Sequence, residues 1–421
     1  MMPCLLTPGR LRAVNLLCLA GIILYAGWYT FSFQLRHHAF GPSDLLDYAL
    51  NYERSLLVAD QLIYPAWSSG FLYPPPNLVL RLALGRLGLE ASAVLWMAML
   101  IAATVGSIEV SLYLLGLSRH PTKYLLGLLA LGSVSYFFEW DLKYLNGNVL
   151  YLISVLGALV FLSRGNLSGA SFLWALSIVL KLYSAVFLPY CLLKRQFRLC
   201  LMTAAWLGLF FLALPALYFG GRQAITLTGN WVQMVIQSGS SMTLPFELAA
   251  YVMSWHKTLL TFLNATGGKG VYNILALQEE EVLGLTRMTQ VLWLGLVSVY
   301  WWQSWRRPMR DTRRALMMDA ATLMLSLLPF SPALQPHHGV VMLIPAMVLI
   351  CVASDARRPS PLRSASAAIV LACYFELQFG PSLALRGLGM MCTLLLFMSG
   401  LILIRSHGDG VPCSQQIPKL S

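Results

Sequence analysis

The sequence predicts an all-α fold, a polytopic bundle of membrane helices, and three observations predict it. Of the 421 residues, 58% are hydrophobic and 11% are charged, against about 25% charged in soluble domains. Apolar runs near membrane-spanning length recur from one end of the chain to the other. Positive charges sit in short clusters between those runs and do not form one face. The formal net charge of +12 therefore speaks of topology and anionic headgroups, and no nucleic acid partner is expected.

Taken in chain order, Arg10 and Arg12 precede an apolar stretch too long for a signal-peptide core, with no small-x-small site after it. Residues 13–33 are then the first span, with the N-terminus in the cytoplasm. Further spans are expected at 90–117, 123–138, 149–163, 168–180, 182–193, 198–219, 285–304, 315–330, 339–354, 362–380 and 384–405. That makes about twelve passes in a single integral-membrane domain over 1–421, with both termini inside and a short tail at 406–421. Basic clusters such as Lys194/Arg195/Arg198 and Arg306/Arg307/Arg310/Arg313/Arg314 mark the cytoplasmic loops, and Asp44, Asp47, Glu53, Glu139, Asp141 and Glu279 to Glu281 mark the others.

The pair at 168–193 is short for two crossings, which need about 40 residues. It predicts either short helices buried in the bundle or a re-entrant pair with Lys181 near the apex. A lysine there is costly unless it faces a cavity or a partner. The segments 34–89 and 220–284 are expected as long outer loops. Polar variety is richest there, so function is expected on that face. None of the eight cysteines falls in an outer loop, and no pair has metal-ligand spacing.

Four stretches carry chemistry. In 41–55, GPSDLLDYALNYERS, Ser43 is a helix N-cap, and Asp44, Tyr48, Asn51 and Ser55 share one face of the helix. Asp44 there is either a general base for a hydroxyl or an acid favoured by the helix dipole. In 70–80, GFLYPPPNLVL, Pro74 and Pro75 form a stiff elbow and Pro76 starts a short interfacial helix with Arg81 and Arg86 snorkelling. Tyr73 sits at headgroup depth. In 139–152, Glu139, Asp141, Lys143, Asn146 and Asn148 crowd into a presumed loop, either as a polar site or as a solvated salt bridge. In 331–343, SPALQPHHGVVML, His337 and His338 can bind a phosphate or move a proton, or simply start a helix. With only Asp44 as a further ligand on that face, a metal site is not expected.

In this order and spacing, Asp44 to Tyr48, Phe71 to Pro75, Gly147-Asn148, the run around Lys181, Asn230-Trp231 and Ser331 to His338 make the chain resemble glycosyltransferase family 87. These are polytopic enzymes of the C-type glycosyltransferase superfamily, which includes polyprenol-phosphate-mannose-dependent mannosyltransferases. The chain departs from the family at Gly147-Asn148-Val149-Leu150, where Gly-Gln-x-Asn is common, and lacks the Trp usual before the His pair. The departures bear on sugar and acceptor more than on reaction type.

The resemblance implies transfer of a hexose, mannose first, from a polyprenyl-phosphate donor to a lipid or glycan acceptor on the outer face of the cell membrane. It implies single displacement with inversion and no cofactor or metal. Asp44 is then the base, with His337 or His338 the first choice beside the leaving phosphate. Lys181, Lys143, Arg81 and Arg222 are further cations there, and Tyr48, Tyr73, Asp141 and Asn148 complete the expected donor site. The alternatives are a transporter or flippase for lipid-linked sugars and a non-catalytic binder of them; against transport, the acids cluster at the outer rim and no repeat is visible.

Overall fold

In the computed structural model, which describes residues 8–36, 74–87, 89–240, 255–263, 275–306, 312–331, 335–355, 358–379 and 383–407, every regular element is a helix. α1 (Pro8–Arg36) opens on a proline, whose missing N–H is harmless in a first turn. It buries Ile22 and Ala26 and exposes Leu16, Leu17, Leu24 and Trp28, a surface suited to lipid. α2 (Pro75–Gly85) starts one residue earlier than expected, at Pro75, with Pro74 to Asn77 buried. α3 (Leu89–Leu114) follows.

The expected span at 123–138 breaks. α4 (Lys123–Ser133) and α5 (Ser135–Lys143) meet at Val134 with a bend of 78°. The segment at 139–143 is thus the end of a buried helix and not a loop. The bend lets α5 lie against the histidine-bearing stretch: a Cβ on Gly339 would come within 2.5 Å of the Phe137 ring. Tertiary packing here overrides an uninterrupted apolar run, which periodicity cannot foresee.

α6 (Asn148–Ser163) and α7 (Leu167–Leu180) form a tight antiparallel pair. Asn166 caps α7 by accepting from the Gly169 amide at 2.9 Å. Gly157 permits the close approach, since a Cβ there would meet Leu173 at 2.7 Å. The two helices rise about 24 and 21 Å, short of the roughly 30 Å hydrocarbon layer. α7 stops at Lys181, whose backbone is extended (φ −155°, ψ 119°), and a 3-10 turn (Leu182–Val186) leads into α8 (Phe187–Leu193). Both helices around Lys181 are short, as expected, and their chain is broken at that residue.

α9 (Phe197–Gly208), a π-helical turn (Leu209–Ala213) and α10 (Leu214–Phe219) together make one membrane-length segment. The beginning of the expected 220–284 loop is instead the helix α11 (Gly221–Ser240), with Ala224, Leu227 and Trp231 buried on one face. Its Thr228 hydroxyl donates to the Phe211 carbonyl at 3.1 Å, satisfying an acceptor in the π turn. α12 (Trp255–Leu263) follows.

α13 (Glu279–Arg306) carries three acids in its first turn and Arg306 in its last, as the helix dipole favours. α14 (Thr312–Leu327) runs antiparallel to it. The pairing is fixed by Gln290 to the Pro329 carbonyl (2.9 Å), Trp293 to the Ser326 carbonyl (3.1 Å) and Tyr300 to Asp319 (3.0 Å). After a 3-10 turn (Leu328–Phe330) and a second 3-10 segment (Pro336–Met342) come α15 (Leu343–Ser354), almost wholly buried, α16 (Ser360–Phe379) and α17 (Leu383–His407).

Among the described residues six helical segments are long and apolar enough to cross a membrane, or seven if the bent α4–α5 pair counts as one. The structure thus supports six or seven of the roughly twelve expected passes. The helices α6, α7 and the stretch 182–193 are apolar but short, and they build the interior around Lys181.

Candidate functional site

The helix break at Lys181 and the 3-10 segment at Pro336–Met342 meet. Lys181 Nζ lies 2.9 Å from His338 Nε2, across 157 residues of sequence. Proline at the first position and a reciprocal capping box start the 3-10 segment: the Gln335 side chain accepts from the His338 amide, and the Gln335 amide donates to His338 Nδ1 at 3.2 Å. Tyr183 stands two residues past Lys181. Its hydroxyl is 2.5 Å from the Ser331 hydroxyl and 3.5 Å from His338 Nδ1, and its ring meets the His338 ring edge-on at 5.4 Å between centroids. His337 packs edge-on against His338 at 4.5 Å. Both histidines are 6% exposed.

Asp141 supports this group from α5. Its Oδ1 accepts from the Asn148 amide (3.2 Å) and the Asn148 side chain (2.7 Å), and its Oδ2 from the Val149 amide (3.0 Å). The carboxylate thus satisfies orphan donors at the start of α6. The turn between α5 and α6 holds Leu145 at φ +52°, an uncommon conformation for a leucine, and the Trp96 indole donates to its carbonyl at 2.8 Å. Lys181 is within electrostatic reach of Asp141 and of both imidazoles. Two buried oxygens nearby in the chain, Asn146 Oδ1 and Ser184 Oγ, have no hydrogen-bond partner.

Of the residues expected from sequence, the structure brings together Lys181, His337 and His338, with Asp141 and Asn148 behind them. Lys143 is half-buried at the end of α5, its ammonium 5.9 Å from the Tyr144 ring. Arg222 stands exposed on the first turn of α11, which packs against α10, the π turn and α2. Arg81 lies in α2, and its side chain is outside the described part. Asp44, Tyr48 and Tyr73 lie outside the described residues. Sequence reasoning missed Tyr183, Ser331 and Gln335. Ser331 and Gln335 stood in the stretch singled out for its histidines, but only the fold shows what each one touches. Among the described residues no three His, Cys, Asp or Glu side chains converge as metal ligands.

A second buried polar group lies nearer the other end of α14. Asp319 accepts from the Tyr190 hydroxyl (2.7 Å) and the Tyr300 hydroxyl (3.0 Å), with Lys194 Nζ at 3.9 Å. Beside it, Arg405 donates to the carbonyl and hydroxyl of Ser304 at 3.0 and 2.9 Å, closing the C-terminal turn of α13. By helical rise the Asp319 level is about 20 Å from Ser331.

The family model of glycosyltransferase family 87 matches residues 71–332, a stretch that holds Lys181, Tyr183 and Ser331 and stops just short of the histidine pair. No curated protein and no solved structure matches the chain.

Proposed function

The chain belongs to glycosyltransferase family 87, and on that premise we propose that it moves a hexose, mannose first, from a polyprenyl-phosphate donor to a hydroxyl of a lipid or glycan acceptor at the outer face of the cell membrane. One observation carries the reading: a lysine at a helix break, inside an apolar bundle, meets a histidine from a segment 157 residues away. A lysine beside imidazole nitrogens, at a break inside the bundle, suits the charge of a lipid-linked phosphate as it leaves.

In the proposed reaction, Asp44 takes the proton of the acceptor hydroxyl while that oxygen bonds to the anomeric carbon. The bond from that carbon to the phosphate oxygen breaks, and its electron pair leaves with the polyprenyl phosphate. Lys181 and the histidine pair take up the departing charge. Attack opposite the phosphate inverts the anomeric centre, so a β-linked donor gives an α-linked product. A leaving monophosphate lacks the diphosphate charge that Mg²⁺ usually balances, so the scheme uses no metal. Tyr48, Tyr73 and Arg81 are assigned to the donor groove. Asp141 and Asn148 act indirectly, by fixing the turn in front of α6. Lys143 and Arg222 are left outside the phosphate group. The basic loops support an outer-face site through the positive-inside rule.

The test is incubation of the purified protein in lipid nanodiscs with labelled polyprenyl-phosphate mannose, glucose and pentose. Consumption of the mannosyl donor with acceptor-dependent product is expected. Asp44→Asn is expected to abolish transfer and spare donor binding. Unchanged transfer in that variant removes Asp44 from the mechanism, and lipid-linked sugar that crosses vesicles untransferred identifies a flippase.

A further inference from the structure

We infer that the side-chain amide of Asn146, in the turn between α5 and α6, reads hydroxyls of the donor sugar and is a specificity-determining residue. The inference rests on the function proposed above and deepens it, adding a group that binds the sugar and not the phosphate.

Asn146 is 2% exposed, and its Oδ1 has no hydrogen-bond partner. Its backbone is already engaged, since the Asn146 amide donates to the Asp141 carbonyl at 2.8 Å. Asn148, two residues on, is engaged through its side chain, which donates to Asp141 Oδ1 at 2.7 Å. Of the two asparagines, Asn148 therefore supports the turn and Asn146 keeps an open acceptor. A buried acceptor without a donor is destabilising. A fold that holds one in place is explained by a donor that comes from outside, and a ligand hydroxyl is such a donor.

The backbone on both sides of Asn146 is fixed. Leu145, before it, has φ +52°, and the Trp96 indole donates to its carbonyl. Gly147, after it, lies against the same indole, where a Cβ would come within 3.3 Å of the ring. The turn also borders the group around Lys181. Both helices that it joins, α5 and α6, pack on the 3-10 segment that carries the histidines. Lys181 acts electrostatically on Asp141, and Asp141 and Tyr183 both act on Tyr151 of α6. A sugar carried on a phosphate beside Lys181 then has the turn as a neighbour.

The other unmet oxygen in this region, Ser184 Oγ, belongs to a hydroxyl that can rotate toward a backbone carbonyl. The Asn146 amide is a planar fork with an acceptor and donors side by side, which matches two adjacent hydroxyls of a sugar ring.

The test pairs variants with donors. Asn146→Leu keeps the outline of the side chain and removes its hydrogen bonding; Asn146→Ala is the second variant, should the first not fold. Each full-length protein in nanodiscs is assayed with polyprenyl-phosphate mannose and with its monodeoxy forms. At least one deoxy donor should lose about tenfold in kcat/KM with the wild type, and each variant should lose about tenfold on the complete donor. Variant and that deoxy donor together should lose little more than either alone. Losses that multiply for every deoxy donor overturn the inference.

Melting temperature supplies a readout without turnover. Free of ligand, Asn146→Leu should melt at or above the wild type, because an unmet acceptor is removed. A lower melting temperature with unchanged sugar selectivity makes Asn146 structural and overturns the inference. Polyprenyl-phosphate mannose should raise the wild-type melting temperature more than polyprenyl phosphate does, and the variants should lose that sugar-dependent increment. A wild type that shows the increment but transfers nothing defeats the proposed transfer and leaves the sugar contact standing. A wild type that shows neither defeats both.

Discussion

The two buried polar groups along α14 solve the same problem in opposite ways. Around Asp319 the backbone is regular: Tyr190, Tyr300 and Asp319 project from the helices α8, α13 and α14, and both carboxylate oxygens receive phenol donors. Around His338 the backbone is irregular: an extended residue, two 3-10 stretches and a left-handed leucine nearby. There Lys181 Nζ lies 2.9 Å from His338 Nε2, and Asn146 and Ser184 keep unpaired oxygens. The difference teaches that buried polarity alone does not mark a site. A carboxylate with both oxygens bonded stabilises the bundle, whereas buried oxygens left unbonded beside an irregular backbone mark where a ligand is worth seeking.

The sharpest way to break this contrast is to remove one ionisable side chain from each group. Lys181→Ala is expected to lower transfer on the order of a hundredfold or more, with the melting temperature in nanodiscs little changed. A variant that unfolds instead would make the Lys181 group structural, like its counterpart. Asp319→Ala should do the reverse. It strands the buried Tyr300 hydroxyl and the partly buried Tyr190 hydroxyl, at a cost of about 2 kcal/mol of stability, and should leave the specific activity of the folded fraction intact. A folded Asp319→Ala protein without activity would erase the distinction.

A smaller perturbation sharpens it. Gly339→Ala places a methyl group 2.5 Å from the Phe137 ring, so it should cost about 2 kcal/mol by overpacking and raise the donor KM by displacing the histidines. Phe137→Leu in the same chain should recover part of both losses. Recovery of stability without KM would separate the packing of α5 from the placement of His338.

Much of the helix pattern was legible because hydropathy is a local property. The twelve apolar runs all carry helix, and the length of 168–193 was enough to expect a pair of short helices around Lys181. Two stretches were misjudged for the same reason. Residues 139–143 looked like a loop because they are charged, yet Asp141 is buried as the cap of α6. Residues 221–240 looked like a loop because they are weakly apolar, yet Ala224, Leu227 and Trp231 line a helical face that packs on the π turn.

By itself, the sequence determined that this chain is a helical membrane protein, and it drew attention to the histidine pair and Lys181. Those follow from composition and from runs a few residues to a few turns long. Only the tertiary structure decided that Lys181 meets His338, that Tyr183 and Ser331 join them, and that Asp141 is committed to a helix end. Hydrogen bonds between residues more than a hundred positions apart depend on how helices bend and cross, and on the glycines that let them close. No local pattern encodes that.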